Sequence, residues 1–599
     1  MSVRRWFFVL ALLLALTVSV SAATRAWTGA ASANWSDPGN WFGGIAPSAN
    51  DDLVFLASSL NQTNSNDFPA DTPFRSLTFY DTYTVSGNAI VLGEGGLLKS
   101  SNAPVVIDLP ITLGASQSWS NLTGGGHVNI LDLNGAVQLN GFTLTLTGTP
   151  PISISRIDGP ISGAGTIVKT SVNVWYLAGN NSYTGQTFVS DGHLIAYTST
   201  SLGAGGSLAD GTIVDATGLL TLGPFAVIPE YIRLLNDAGN HGLNGISTDA
   251  ELTGTLDLAG PNSSVFNELA TLTFSGVVTG SGPFYMGSIS GKYALMNSAN
   301  DFTGPVIWDG QGTLIIGADN ALPSGKALNI DDMSVLDLTG HQQSIASLGG
   351  TTLTQVRLRT GGILNITGPG TTSFAGNILD QGTINLSGGQ LTLTAANTFT
   401  GAFNNNGGTL RIVGGSIVAP FTQTTGTFAL ASNGTAGAVT INGGMFSPGA
   451  GGTGTGNSGN LLFAPAATWV ETIDGSAAGT FGSVRTTGSV NLGNAALTLA
   501  GGAAGVQLGD ALVMIENDGS DAIAGTFAGL PEGATINGGP GNFNYTISYI
   551  GGTGNDVVLS ALTQPIIAPD LTSVPTLDAR VLAALALVLV AAAMIVLRQ

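Results

Sequence analysis

Three stretches of this 599-residue chain spell nearly the same phrase, and a repeated phrase of this kind leaves few ways to fold. Asn181-Ser182-Tyr183-Thr184-Gly185 leads to Gly192-His193-Leu194-Ile195. Asn300-Asp301-Phe302-Thr303-Gly304 leads to Gly312-Thr313-Leu314-Ile315, and Asn397-Thr398-Phe399-Thr400-Gly401 to Gly408-Thr409-Leu410-Arg411. Each unit reads as a turn, a strand, a second turn and another strand, with Gly and Asn at the points where tight turns need positive φ. A single unit cannot bury its own apolar face. Units stacked at the inter-strand spacing can, because their aliphatic side chains then form one continuous core. Alternating runs such as Phe142-Thr143-Leu144-Thr145-Leu146 and Leu391-Thr392-Leu393-Thr394 fill the intervals, and no sustained helical period appears between the two terminal apolar segments.

Composition agrees with turns and strands: 88 glycines, 43% apolar residues and only 9% charged ones. Acidic residues outnumber basic ones by 36 to 16, a balance that gives nucleic acid or anionic lipid no electropositive footprint. There is no cysteine, so neither disulfides nor thiolate metal sites hold the fold together.

The two ends read as addresses. Residues 1–23 carry Arg4 and Arg5, an apolar run from Trp6 to Leu16, and the small residues Val20-Ser21-Ala22-Ala23, the pattern of a secretory signal peptide cleaved at Ala22 or Ala23. At the other end no polar residue interrupts Val581 to Leu597, and as a helix this run would reach roughly 25 Å at about 1.5 Å per residue, enough to enter a bilayer. Arg598 beyond it places the last residues in the cytoplasm and the body outside. Before the helix, after a linker at 563–573 containing Pro565 and Pro569, stands Val574-Pro575-Thr576-Leu577. With its helix and basic end, residues 574–599 resemble the bacterial IPTL-CTERM sorting signal, with Val574 in the Ile position. That resemblance implies export machinery and a membrane-bound sorting protease as partners.

The repeated phrases, with the lead-in Gly165-Thr166-Ile167-Val168-Lys169 and the internal Thr187-Phe188-Val189, resemble the autotransporter-associated β-strand repeat. Leu336-Asp337-Leu338-Thr339-Gly340 through Ser347-Leu348-Gly349-Gly350 is similar to the segment that follows such repeats. The resemblance implies an all-β, right-handed parallel β-helix with an N-terminal signal helix and a C-terminal transmembrane helix. With about 20–25 residues per coil and a rise of about 4.8 Å, the body is expected to be a rod of roughly 100 Å. The expected organisation is an N-terminal cap with first coils at 24–100, a repeat region at 101–430, a Gly-rich junction at 431–460 and a C-terminal β module at 461–562. Trp27, Trp35 and Trp41 read as the aromatic core of the cap rather than as a sugar platform.

The usual signatures of chemistry are thin. His127, His193, His241 and His341 are scattered, and His193 occupies a slot that is Thr313 and Thr409 in the other repeats. Gly551 to Leu559 spells one unit of a calcium-binding β-roll, but such rolls share ions between consecutive turns and here there is one copy. Asp51-Asp52 and Asp331-Asp332 are adjacent pairs whose members point to opposite faces of a strand, and Lys and Arg are sparse between residues 170 and 570. The sequence therefore nominates no catalytic, metal or cofactor-binding residue. Its expected function is a non-enzymatic, exported, surface structural or adhesin-like protein, with a surface glycan or protein as ligand and membrane contact through 581–597. The alternative is a secreted β-helix polysaccharide lyase or glycoside hydrolase.

Overall fold

The computed structural model describes residues 22–122, 130–149, 154–236, 242–245, 248–331, 333–449, 452–562 and 578–597. Many of the short strands alternate: in Thr143–Gly148, Leu144 and Leu146 are buried while Thr143, Thr145 and Thr147 face outward. Their partners lie one coil away and run parallel. Phe55 stands opposite Phe79, and Leu77 opposite Leu97. Like side chains stack in consequence, as with the rings of Phe55 and Phe79 at 4.6 Å and 11°. The apolar core runs as one cluster from Trp27 to Ala561, so the body is the all-β parallel solenoid that the stacked repeats call for.

The coils are less uniform than the sequence suggests. Phe403 and its partner Phe421 are 18 residues apart, whereas Leu461 and Val490 are 29 apart. Turns absorb the difference, while the buried positions of each coil keep their register.

Two boundaries need correction. The stretch at 431–460 that reads as a loose Gly-rich junction continues the ladder: Phe421 pairs with Val439, Val439 with Leu461, and Thr435 with Asn457. Small residues there reflect close packing, since a β-carbon on Gly456 would lie 2.5 Å from Leu430 Cγ. Residues 450 and 451 lie outside the described residues. The parallel coils also continue past 461, with Trp469 opposite Leu497. Ala511–Asn517 is still parallel to Gly482–Thr486, and the direction reverses beyond it at Asp556–Ala561, which pairs antiparallel with Ala511–Asn517 and with Tyr545–Gly551.

The cap tryptophans pack as a core. Trp27, Trp35 and Trp41 are 0–2% exposed, and Trp27 meets Trp41 edge-on at 5.1 Å. Each indole N–H has an acceptor: Asn61 O for Trp27, Asn64 Oδ1 for Trp35 and Trp35 O for Trp41, all at 2.7 Å.

The expected signal segment lies outside the described residues except for its last two positions, Ala22 and Ala23. The backbone N–H of Ala23 donates to Asp51 Oδ1 at 2.9 Å, tying the start of the body to the cap. At the other end, Ala579–Val596 is a helix that is fully solvent-facing and, among the described residues, the one long and apolar enough to cross a membrane. The motif Val574-Pro575-Thr576-Leu577 and the linker before it lie outside the described residues.

Candidate binding surface

The repeated phrase is spent on architecture. Asn181, Asn300 and Asn397 are buried, and each joins three coils. Asn181 Oδ1 accepts from Ile161 N–H (2.8 Å) and its Nδ2 donates to Ser201 O (2.6 Å). Asn300 does the same with Val278 N–H (2.8 Å) and Ala321 O (2.9 Å), and Asn397 with Ile378 N–H (2.9 Å) and Ser416 O (3.1 Å). Backbone groups at the corners would otherwise be left without partners. The aromatic residue two positions on, Tyr183, Phe302 or Phe399, is fully buried. The closing glycine lets adjacent coils touch: a β-carbon on Gly185, Gly304 or Gly401 would lie 1.8, 1.9 or 1.7 Å from the carbonyl oxygen of Gly165, Gly282 or Gly382.

The other residues singled out by sequence are likewise structural or apart. Lys169 of the lead-in is buried, and its ammonium donates to the carbonyls of Thr170 (2.9 Å), Ser171 and Asp191 (3.1 Å); burial lowers its pKa to about 7. His193 contacts the Thr221 hydroxyl, and burial, with the Lys169 charge nearby, lowers its pKa to about 4, which keeps the imidazole neutral. His341 Nδ1 lies 3.0 Å from Asp319 on the surface. His127, His241 and Asp332 lie outside the described residues.

The Asp51-Asp52 pair diverges. Asp51 turns inward to Arg25 Nε (2.8 Å) and the Ser48 N–H (2.9 Å), whereas Asp52 turns outward to Arg75 Nη1 (2.8 Å) and Ser76 Oγ (2.5 Å). In the one β-roll-like unit, Asp556 sits in a hairpin, accepting from the N–H groups of Asn517 and Thr553, both at 2.9 Å. No three His, Cys, Asp or Glu residues group to hold a metal ion among the described residues.

What remains for function is the outer surface, which carries shallow grooves. One, of about 260 Å³, is lined by Lys292, Thr313, Ile315, Val335, Asp337, Gln355, Arg357 and Arg359. Sequence reasoning missed this convergence, because Lys292 and Arg357 are far apart along the chain. The signal was there in the coil offsets: Lys292 is opposite Thr313, Thr313 opposite Val335 and Val335 opposite Gln355.

The passenger-associated-transport-repeat model matches residues 167–196 and 386–412, which contain the first and third of the three phrases. The adhesin BmaC autotransporter of Brucella suis biovar 1 (strain 1330) is 29% identical over 299 residues, 48% of this chain and 8% of that protein. A solved structure, the Haemophilus influenzae Hap adhesin, aligns over 86% of this chain and 64% of its own at 11% identity, with a TM-score of 0.29. The chain thus spans a small part of the length of the adhesin it matches in sequence. The chain is thus a parallel β-solenoid in which two segments, 167–196 and 386–412, are similar to the passenger-associated-transport repeat.

Proposed function

We propose that this chain is an exported, non-enzymatic protein of the cell surface whose solenoid presents an adhesive exterior. The observation that carries the reading is the pairing of two facts: sequence similarity to an adhesin autotransporter over 299 residues, and a repeat whose asparagine, aromatic and glycine positions are consumed in holding coils together while its threonine faces outward. With those side chains inside, what differs from coil to coil is the outward row of Thr, Asn, Asp and Arg. A long rod offers such rows many times over, so that weak contacts add along its length.

In this reading residues 1–23 direct export with cleavage at Ala22 or Ala23. The Val574-Pro575-Thr576-Leu577 motif and the helix Ala579–Val596 then hold the protein at the membrane or pass it to a sorting protease, leaving the rod on the cell exterior. The diverging carboxylates of Asp51 and Asp52 give no support to the polysaccharide lyase or hydrolase alternative.

Three experiments test this. Cells displaying the chain should adhere to extracellular-matrix or glycan-coated surfaces more than a deletion strain; equal adhesion would remove the adhesive role. Incubation of the purified body with a polysaccharide panel should release no new chain ends, and sustained release would replace the adhesin by an enzyme. Mass spectrometry of the mature protein would read both termini, with Ala23 or Thr24 as the expected first residue.

A further inference from the structure

The geometry points to the groove across strands Lys292–Leu295, Thr313–Ile316, Val335–Asp337 and Gln355–Arg357 as a binding site for a polyanionic glycan, an extended polysaccharide bearing carboxylate or sulfate groups. This names the ligand class for the adhesive surface proposed above and rests on that reading.

The charge distribution singles out this groove. The chain has four lysines, and three of them turn inward. Lys99 donates to Ser101 O at 2.7 Å and Lys169 to the carbonyls described above. Lys326 donates to Gly304 O at 2.7 Å, with its ammonium 4.7 Å from the centre of the Phe302 ring. Lys292 is the exposed one, and no ion pair holds its ammonium among the described residues. Among the described residues, Arg25, Arg75, Arg156, Arg233, Arg359 and Arg485 each pair with a carboxylate, and Arg357, Arg411 and Arg580 do not. Of these three, Arg357 lines the same groove as Lys292, in a molecule of net charge −20.

Local geometry keeps Arg357 free. It lies directly across the ladder from Asp337, the nearest carboxylate in register. Asp337 is taken instead by Arg359, which sits at φ 60° in the following turn and folds back to place Nη2 2.7 Å and Nε 3.1 Å from the carboxylate oxygens. Asp380, 3.7 Å from Arg359, completes that cluster. Arg357 keeps only a long contact, 3.4 Å, from its Nε to Gln355 Oε1.

Lys292 and Gln355 end one row of outward side chains, three strand spacings or roughly 14 Å apart at about 4.8 Å each. An anion touching both Lys292 and Arg357 must therefore be extended along the rod, with charged groups repeated at intervals. Between them lie Thr313, Val335 and Ile315, a flat floor of hydroxyl and aliphatic surface suited to a sugar face, with Gln355 as hydrogen-bonding partner. The groove holds no aromatic ring on which a nucleic-acid base could stack, whereas its flat hydroxyl and aliphatic floor suits a sugar face.

The test titrates the full chain in detergent with polygalacturonate, dextran sulfate and neutral dextran. The proposal expects at least one polyanion to bind with an affinity that falls as salt rises, and neutral dextran not to bind. Which of the two binds tells carboxylate from sulfate recognition. The double variant Lys292→Gln/Arg357→Gln should lose at least tenfold in affinity while keeping its circular dichroism and melting temperature, and Lys292→Arg/Arg357→Lys should retain binding. Failure of both polyanions to bind, equal binding by the Gln variant, or equal binding of neutral dextran would overturn the proposal. Adhesion of displaying cells, measured alongside, separates the two claims: adhesion that persists in the Gln variant and is not competed by polyanions refutes the groove alone, and absent adhesion refutes the adhesive reading itself.

Discussion

The two ends of the rod face the same hazard and meet it with different materials. A parallel stack leaves an unpaired strand edge at each end, a template for adding another chain. At the amino end a loop folds over the first strand, Thr24–Trp27. Trp41 bridges antiparallel to Trp27, Phe42 N–H donates to Ala26 O at 2.8 Å, and the tryptophan cluster fills the space beneath. At the carboxyl end the chain reverses direction and closes with an antiparallel set whose outermost strand, Thr535–Ile536, is two residues long and soon followed by Pro540. One end is sealed by bulk and the other by a change of strand direction. Both use antiparallel contacts, which a short local turn can supply and a parallel coil cannot.

The largest effect is expected from removing residues 535–562, which bares the outer edge of the last parallel strand, Ala511–Asn517; light scattering should show concentration-dependent oligomers, and a clean monomer would mean that the antiparallel set is not a cap. Trp35→Ala empties the other end, and a cavity of that size costs about 3–5 kcal/mol. Denaturation followed by fluorescence should show early loss of the amino-terminal coils while the carboxyl-terminal ones persist, as expected for a stack stabilised by nearest neighbours.

Mid-rod coils, covered on both sides, are held by their asparagines. Asn300→Ala leaves Val278 N–H and Ala321 O buried without their partner, at roughly 1–3 kcal/mol for each. Hydrogen exchange should rise in the two neighbouring coils and nowhere else; no change there would show that the asparagine is dispensable.

A separate effect is a pH dependence. Glu230 is 3% exposed and accepts from Thr212 Oγ1 at 2.9 Å; burial raises its pKa to about 8. Its folded form therefore holds a proton that the unfolded chain releases above about 4.5, so its contribution is complete below 4.5 and is lost as pH rises through 8. Glu230→Gln should melt higher than the parent at pH 8–9 and nearly alike at pH 4, and a gap that does not change with pH would contradict this assignment. His193 has the opposite sign, since its lowered pKa withdraws stability as pH falls below 6.5 toward 4.

Much of this was legible in the residues. The alternation in Thr143–Gly148 and the recurring Asn-x-aromatic-Thr-Gly phrase prescribe stacked, turn-bounded strands, and three tryptophans within fifteen residues prescribe a packed cap. What the phrase does physically was not legible, because the partners of Asn181, Ile161 and Ser201, are local only once coils are stacked. The continuity of residues 435–463 was hidden by a composition that means flexibility in a linker and close approach in a solenoid. The groove was hidden for a third reason: a sparse count of Lys and Arg says nothing of convergence, and only the coil register carries Lys292 toward Arg357.

The central claim is that the body from residue 22 to 562 is a single stack of coils, and small-angle X-ray scattering from that segment tests it most directly. Coils of about 4.8 Å rise give a rod of roughly 100 Å, with a radius of gyration of about 30 Å and the linear cross-section region of an elongated particle. A value near 24 Å, that of a compact globule of this length, with a bell-shaped distance distribution, would contradict the account.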